Sequence, residues 1–286
     1  MSNAAIWLTG ARPQTLAAAA VSVIVGTAAA APPYRLDRAV LALVVALALQ
    51  IGANYANDYS DGIRGTDANR TGPPRLVASG LASPAAVLRA ALIAFGIAVL
   101  AGTMLALQVN PWLIAFGLAA IAAAWFYTGG AKPYGYAGYG EISVFVFFGL
   151  LGTLGSTYVQ HGELTTISLW ASLAVGSLTT ALLVANNLRD IPGDAANGKR
   201  TLAVKLGDRA TRQLYLALLA AAACATLGVV IARPWAALAF IAIAVAIRPV
   251  RAVCAGATGK ALVPVLVDTG RLELAFAVLL AISLLV

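Results

Sequence analysis

The sequence predicts an all-α membrane protein, and three observations carry that expectation. Apolar runs recur along the whole chain, charge is scarce, and turn-forming residues punctuate the gaps. Of 286 residues, 61% are hydrophobic and 10% charged; a soluble domain carries about 25% charged residues and could not build a water-facing surface from so few. Crossing the hydrocarbon core takes about 20 mostly apolar residues, or about 17 for a short span. Leu16 to Ala31, Val40 to Ala53, Ala85 to Leu107 and Trp112 to Thr128 are runs of that kind. A soluble protein with a very large helical core is the alternative these features disfavour.

About nine apolar segments follow, near 14–32, 38–57, 84–107, 111–128, 140–159, 165–187, 211–231, 234–250 and 269–286. Pro32-Pro33 ends the first, and Asn110-Pro111 divides the third from the fourth. Gly129-Gly130 with Lys132-Pro133 separates the fourth from the fifth, and His161-Gly162 closes the fifth. Arg233-Pro234 precedes the eighth, while Asp268, Arg271 and Glu273 crowd the start of the ninth and suggest that it begins late. No basic stretch followed by a cleavage site precedes the first segment, so Leu16 onward is expected to remain as a span. One polytopic domain over residues 1–286 is expected. Cys224 and Cys254 lie in apolar stretches with no metal spacing and read as buried core filler.

Net charge is +8. Basic excess in such a chain is orientation signal, and no basic run interleaved with aromatics points to nucleic acid. Arg12, Arg64, Arg70, Arg75, Lys132, Arg189, Lys199, Arg200 and Lys205 fall in loops on the N-terminal side, against Arg35, Arg38 and Arg233 opposite. The N-terminus and the long charged loops are therefore expected in the cytoplasm.

Two clusters stand out. The second segment ends in Asn54, Asn57, Asp58 and Asp61, and Asp67 follows on a glycine-containing loop. The sixth ends in Asn186, Asn187, Asp190 and Asp194, where Pro192 is expected to bend or stop the helix near Ile191 and leave Asp194 on a loop. Three- and four-residue spacings put each set on one helix face. The echo between 54–67 and 186–194 hints at two similar halves facing each other, though it is too short to prove duplication.

Gathered carboxylates repel, by about 4 kcal/mol for unit charges about 4 Å apart at an effective dielectric near 20, and a bound cation removes that cost. Oxygen ligands from Asp and Asn suit Mg²⁺, which prefers one or two carboxylates plus substrate phosphate. The only histidine, His161, lies on the opposite side. The clusters thus read as Mg²⁺ bridging a diphosphate, with Arg64, Arg70, Arg75, Lys132, Arg189, Lys199 and Arg200 able to grip its outer oxygens; each of these is equally readable as a cytoplasmic anchor. A solvated polar loop is the bland alternative for the aspartates. A diphosphate at the mouth of an apolar cavity implies a lipid substrate. Loss of diphosphate from an allylic lipid leaves a carbocation that an aromatic ring can capture in a dry site.

These residues resemble the UbiA superfamily of intramembrane aromatic prenyltransferases across nearly the whole chain. Asn57-Asp58-x-x-Asp61 with Asp67, Asp190-x-x-x-Asp194 and Gly198 to Gly207 carry the resemblance. Ala11-Arg12-Pro13-Gln14-Thr15, the longer spacing to Asp67, Arg70 to Arg75, Lys132 to Glu141 and Asn186 to Asp190 are similar to the branch that prenylates 1,4-dihydroxy-2-naphthoate. The resemblance implies about nine helices around a central cavity under a cap of cytoplasmic loops. It implies a Mg²⁺-dependent transfer of a polyprenyl group from polyprenyl diphosphate to the naphthoate carbon that bears the carboxylate, giving demethylmenaquinol. It implies Asp58, Asp61, Asp67, Asp190 and Asp194 at the metal, and Asp61, Asp190, Lys132 and Arg189 as the catalytic set. Asn54, Asn57, Arg64, Arg75, Asn187, Lys199 and Arg200 would serve the substrates. Glu141 would orient an arginine or the acceptor hydroxyls, or merely favour the helix dipole. Tyr127, Tyr134, Tyr136 and Tyr139 would flank the ring or cation, or form an interfacial belt. Sister enzymes using 4-hydroxybenzoate, homogentisate, haem, a chlorin or a sugar phosphate are the near alternatives. A cation-coupled transporter is the distant one, disfavoured because no span interior carries a clear charge.

Overall fold

A computed structural model describes residues 2–66 and 74–286. Every regular element among them is helical: α1 (Asn3–Ala11), α2 (Pro13–Ala28), α3 (Leu36–Arg64), α4 (Pro84–Gln108), α5 (Trp112–Phe126), then α6 (Gly140–Val144) running through a π-helical stretch (Phe145–Gly152) into α7 (Thr153–His161). There follow α8 (Thr166–Ala196), α9 (Leu202–Ala232), a 3₁₀ stretch (Pro234–Ala242) leading into α10 (Ile243–Cys254), and a second (Gly259–Leu262) leading into α11 (Val263–Leu285). Among the described residues, six helical stretches are long and apolar enough to cross a membrane: 36–64, 84–108, 140–161, 166–196, 202–232 and 234–254. The protein is a multi-pass membrane protein.

The packing falls into two groups that meet along α2. α3 pairs extensively with α4, and α8 with α9. α2 touches α3 and α7 on one side and α11 on the other, so the first and last long apolar helices are neighbours. Small residues set the closest approaches: a Cβ on Gly149 would lie 2.3 Å from the Cα of Gly176, so α8 rests directly on the π-helical stretch. Arg38 sits at the ends of α4 and α7 and donates to the carbonyls of Gln108, Val159 and Gln160, supplying donors that two helix C-termini lack. Large apolar side chains face outward, as a lipid-facing surface requires; Trp112 (73% exposed) and Trp235 (63%) stand at helix starts on the end opposite the aspartates.

Four sequence expectations change. α8 continues through Pro192 to Ala196. The proline falls about one turn from the helix end, where few carbonyls still need an i+4 donor, and Asn197 N–H and Nδ2 donate to the Gly193 carbonyl (3.1 and 2.9 Å) beyond it. Asp194 is therefore helical, on the face of Asp190. Cys224 and Cys254 are exposed, not buried, because an apolar stretch in a membrane protein has a lipid-facing side as apolar as its core. The last helix starts at Val263, earlier than expected, which puts Glu273 in its third turn. That carboxyl is buried and accepts the hydroxyl hydrogen of Thr179 on α8, so an acid does lie inside the helix bundle, as a polar tie between helices.

Candidate active site

α3 and α8 have 29 and 31 residues. At 1.5 Å per residue each is about 45 Å long, some 15 Å more than the hydrocarbon core. Helices of that length exceed the apolar layer, which leaves room for their acid-bearing ends outside it. Gly65, in the left-handed conformation (φ 71°), closes α3.

Asp61 is the hub. It is 2% exposed, and Arg75 and Lys199 each bring a nitrogen within 3.5 Å of its Oδ2. The Tyr136 hydroxyl donates to its other oxygen. The Lys199 ammonium also lies 4.7 Å from the centre of the Tyr136 ring, within cation–π range. Lys199 leaves the end of α8 just past Asp194, its backbone N–H donating to the Asp194 carbonyl at 2.8 Å. One side chain thus joins the end of the second acid cluster to the centre of the first. Burial, then the Asp61 charge, pushes the Tyr136 phenol well above its usual pKa, so it stays a donor.

Asp58, expected at the metal, has both oxygens engaged by the chain itself: Leu76 N–H donates at 2.8 Å and Val77 N–H at 3.0 Å. Those bonds hold the segment that delivers Arg75. Asp190 is held by a two-pronged contact from Arg189, 2.7 Å to each oxygen, with Arg189 also donating to Asn186 at 2.8 Å. Asp194 accepts from Thr201 at 3.5 Å. Asp67 and Arg70 lie outside the described residues.

The remaining candidates divide into those that face the acids and those that build the scaffold. Arg64 donates to the carbonyls of Thr128 and Gly130, tying the glycine-rich loop to the end of α3. Asn57 accepts from Thr128 at 2.7 Å, also on that loop. Asn54 staples α3 to the α1–α2 junction through Ala11 and Thr15, both at 2.9 Å. Tyr134 donates to the Ala123 carbonyl at 2.7 Å, and Tyr139 is exposed beside Lys205. Lys132 and Arg200 are exposed, but the Arg200 N–H donates to the Tyr136 carbonyl at 2.9 Å and Lys205 Nζ to the Ala137 carbonyl at 2.7 Å. The loop before α6 and the segment after α8 are stitched together over Asp61.

Glu141 and Asn187 form a second polar pair, Asn187 Nδ2 donating to Glu141 Oε1 at 2.9 Å. The half-buried Tyr127 stands over the residue before Glu141, since a Cβ on Gly140 would lie 2.9 Å from its hydroxyl oxygen. Tyr136 is the residue that sequence reasoning undervalued; its place in Lys132-Pro133-Tyr134-Gly135-Tyr136, between loop glycines and opposite the aspartates, was the available signal.

The donor set suits a hard divalent ion: carboxylate and amide oxygens, with positive charge already supplied to them by Arg75, Lys199 and Arg189. Among the described residues no three acids gather into a cage that would hold a metal unaided. Mg²⁺ keeps waters and takes substrate phosphate oxygens alongside few carboxylates.

The model of the UbiA prenyltransferase family matches residues 19–255. The 1,4-dihydroxy-2-naphthoate octaprenyltransferase of Mycobacterium tuberculosis is 51% identical over 283 residues, covering 98% of this chain and 97% of that protein. The enzyme of the same name from Escherichia coli is 42% identical over 229 residues, covering 77% and 74%. Among solved structures, a UbiA homolog from Aeropyrum pernix superposes with a TM-score of 0.74 at 16% identity over 95% of this chain and 97% of that one. One from Archaeoglobus fulgidus, bound to GPP and Mg²⁺, superposes with a TM-score of 0.68 at 14% identity over 98% and 99%. These two bear on the fold.

Proposed function

The chain belongs to the UbiA prenyltransferase family, and on that premise we propose that it transfers a polyprenyl group from an allylic polyprenyl diphosphate to 1,4-dihydroxy-2-naphthoate, releasing CO₂ and diphosphate and yielding demethylmenaquinol. The observation that carries this reading is Lys199: it leaves the end of α8 beside Asp194 and meets Asp61 of α3 at 3.5 Å, so both acid clusters border one site. The similarity to naphthoate octaprenyltransferases along nearly the full chain supports the acceptor.

In this reading Asp61, Asp190 and Asp194 are the carboxylates that hold Mg²⁺. The ion, when bound, neutralises the diphosphate and eases its departure as a leaving group. Arg75, Lys199 and Arg189 now neutralise the acids; with substrate present the same cations turn toward phosphate oxygens and stabilise the charge that grows as the carbon–oxygen bond breaks. Lys132 and Arg200, exposed on the two stitched segments, meet the outer phosphate. Tyr136 holds Asp61 in place and presents an electron-rich face beside the departing group. Asp58 fixes the segment carrying Arg75, and Arg64, Asn57 and Tyr134 fix the loop carrying Tyr136. The acid ends and the N-terminus lie on the cytoplasmic side, in keeping with the excess of Lys and Arg there. α2, α5 and α11 complete nine spans. The prenyl tail lies among apolar helix faces, which keep water from the cation.

Membranes bearing the protein, supplied with labelled polyprenyl diphosphate and a panel of aromatic acceptors, test the assignment. Label should pass to 1,4-dihydroxy-2-naphthoate in a Mg²⁺-dependent reaction with CO₂ release. Transfer to 4-hydroxybenzoate or homogentisate and none to the naphthoate would overturn the acceptor.

A further inference from the structure

Glu141 is an acid that the diphosphate chemistry leaves unused. It begins α6 and is 5% exposed. Its Oε1 accepts from Asn187, but its Oε2 is buried without a hydrogen-bond partner among the described residues. A buried carboxylate oxygen with no donor is costly, and such groups in a folded protein call for an explanation. Asn187 shares a face of α8 with Asp190, three residues on, so the pair opens beside the second acid cluster. Gly140 lets Tyr127 come close, since a Cβ there would stand 2.9 Å from the Tyr127 hydroxyl oxygen. An unmet acceptor oxygen, fixed in direction by an amide, thus sits against the helix that carries Asp190, one turn before that acid.

We infer that Glu141 Oε2 receives the acceptor hydroxyl adjacent to the reacting carbon, takes its proton as the new carbon–carbon bond forms and returns it as CO₂ leaves. This deepens the naphthoate reading and rests on it. The prenyl carbon–oxygen bond breaks with its electron pair going to diphosphate. A ring π pair forms the new bond at the carbon bearing the carboxylate. The neighbouring O–H gives its proton to Glu141, so the oxygen becomes a ketone beta to that carboxylate. The bond to the carboxylate then breaks as CO₂ departs, its pair flows to the ketone oxygen, and that oxygen recovers the proton from Glu141. The ring is aromatic again with no net proton gained or lost. Glu141 is accordingly a catalytic residue of the acceptor half-site, and Asn187 a positioning residue that aims it.

The test uses the full-length protein in membranes, the naphthoate, and its ether methylated on the hydroxyl next to the carboxylate. Wild-type transfer to the naphthoate is measured first; no product there sinks the acceptor assignment itself. Glu141→Gln keeps size and can keep the Asn187 contact but cannot hold the proton. Its kcat should fall about 100-fold or more, as general-base losses do, with the KM for prenyl diphosphate within about twofold, since that half-site is untouched. Wild type should slow by a comparable factor on the methyl ether, and Glu141→Gln should lose little more on that ether. Product from wild type together with a Glu141→Gln rate within about threefold of it would overturn the inference alone, as would equal and independent slowing by the variant and the ether. The wild-type comparison of naphthoate with its ether requires no variant to fold, and equal rates on the two would overturn the inference by itself.

Discussion

Asp58→Asn and Asp61→Asn alter carboxylates three residues apart on one helix, and the structure gives them different work. Asp58 receives two backbone N–H groups, at 2.8 and 3.0 Å, in a setting 1% exposed. Hydrogen bonds to a charged group contribute about 1.5–3 kcal/mol each, and an unmet buried donor costs about 1–3 kcal/mol. An asparagine offers one oxygen for two donors and turns an NH₂ toward the other. The variant should lose about 3–5 kcal/mol, and at about 2–4 °C per kcal/mol for a large domain its thermal midpoint in detergent should drop by roughly 6–20 °C. At a temperature where it remains folded, its turnover should stay within about tenfold of wild type, with an unchanged Mg²⁺ requirement. Asp61→Asn should behave in the opposite manner, with turnover down about 10³-fold or more at every Mg²⁺ concentration because the ion and Lys199 lose their shared anchor. Differential scanning fluorimetry and a Mg²⁺ titration of prenyl transfer read both effects. An Asp58→Asn protein as stable as wild type but needing far more Mg²⁺ would refute the reasoning and make Asp58 a metal ligand.

Three further outcomes follow from the same contacts. Lys199→Met removes a half-buried cation 3.5 Å from the buried Asp61; loss of one partner of such a pair costs about 2–5 kcal/mol, so kcat/KM for prenyl diphosphate should fall by about 10²–10³, measured at saturating acceptor. Tyr136→Phe deletes the hydroxyl that donates to Asp61 and should slow transfer by about 10–100-fold, the equivalent of 1–3 kcal/mol, with Mg²⁺-dependent single-turnover kinetics as the readout. His161→Ala, whose exposed ring meets only the Ala31 carbonyl at the far end of the bundle, should leave turnover and thermal midpoint unchanged, and a tenfold loss of rate would place chemistry on the wrong side.

The helical architecture was legible because a bilayer leaves few options for a backbone that must satisfy its own hydrogen bonds. The Asp/Asn spacings in α3 and α8 were legible for the same reason, since three- and four-residue intervals map onto one face. What escaped is local accounting. Sequence cannot show which loop carbonyls lack donors, so the contacts of Arg64 with the Thr128 and Gly130 carbonyls were not visible in it. Nor can it show that Leu76 and Val77 would turn their N–H groups onto Asp58. Pro192 read as a helix end because its position relative to the final carbonyls could not be counted before the end was known. Cys224 and Cys254 read as buried because apolar neighbours look alike whether they face protein or lipid. Tyr136 was visible as one tyrosine among four, and its link to Asp61 required the loop to fold over the end of α3.

The most direct test is an experimental structure of the protein with Mg²⁺ and a non-cleavable polyprenyl thiodiphosphate. Oxygens of Asp61 from α3 and of Asp190 or Asp194 from α8 should ligate ions on the same diphosphate, with Lys199 swung from Asp61 onto a phosphate oxygen. A diphosphate held by one helix's acids while the other set remains closed on its arginine or lysine would contradict the account.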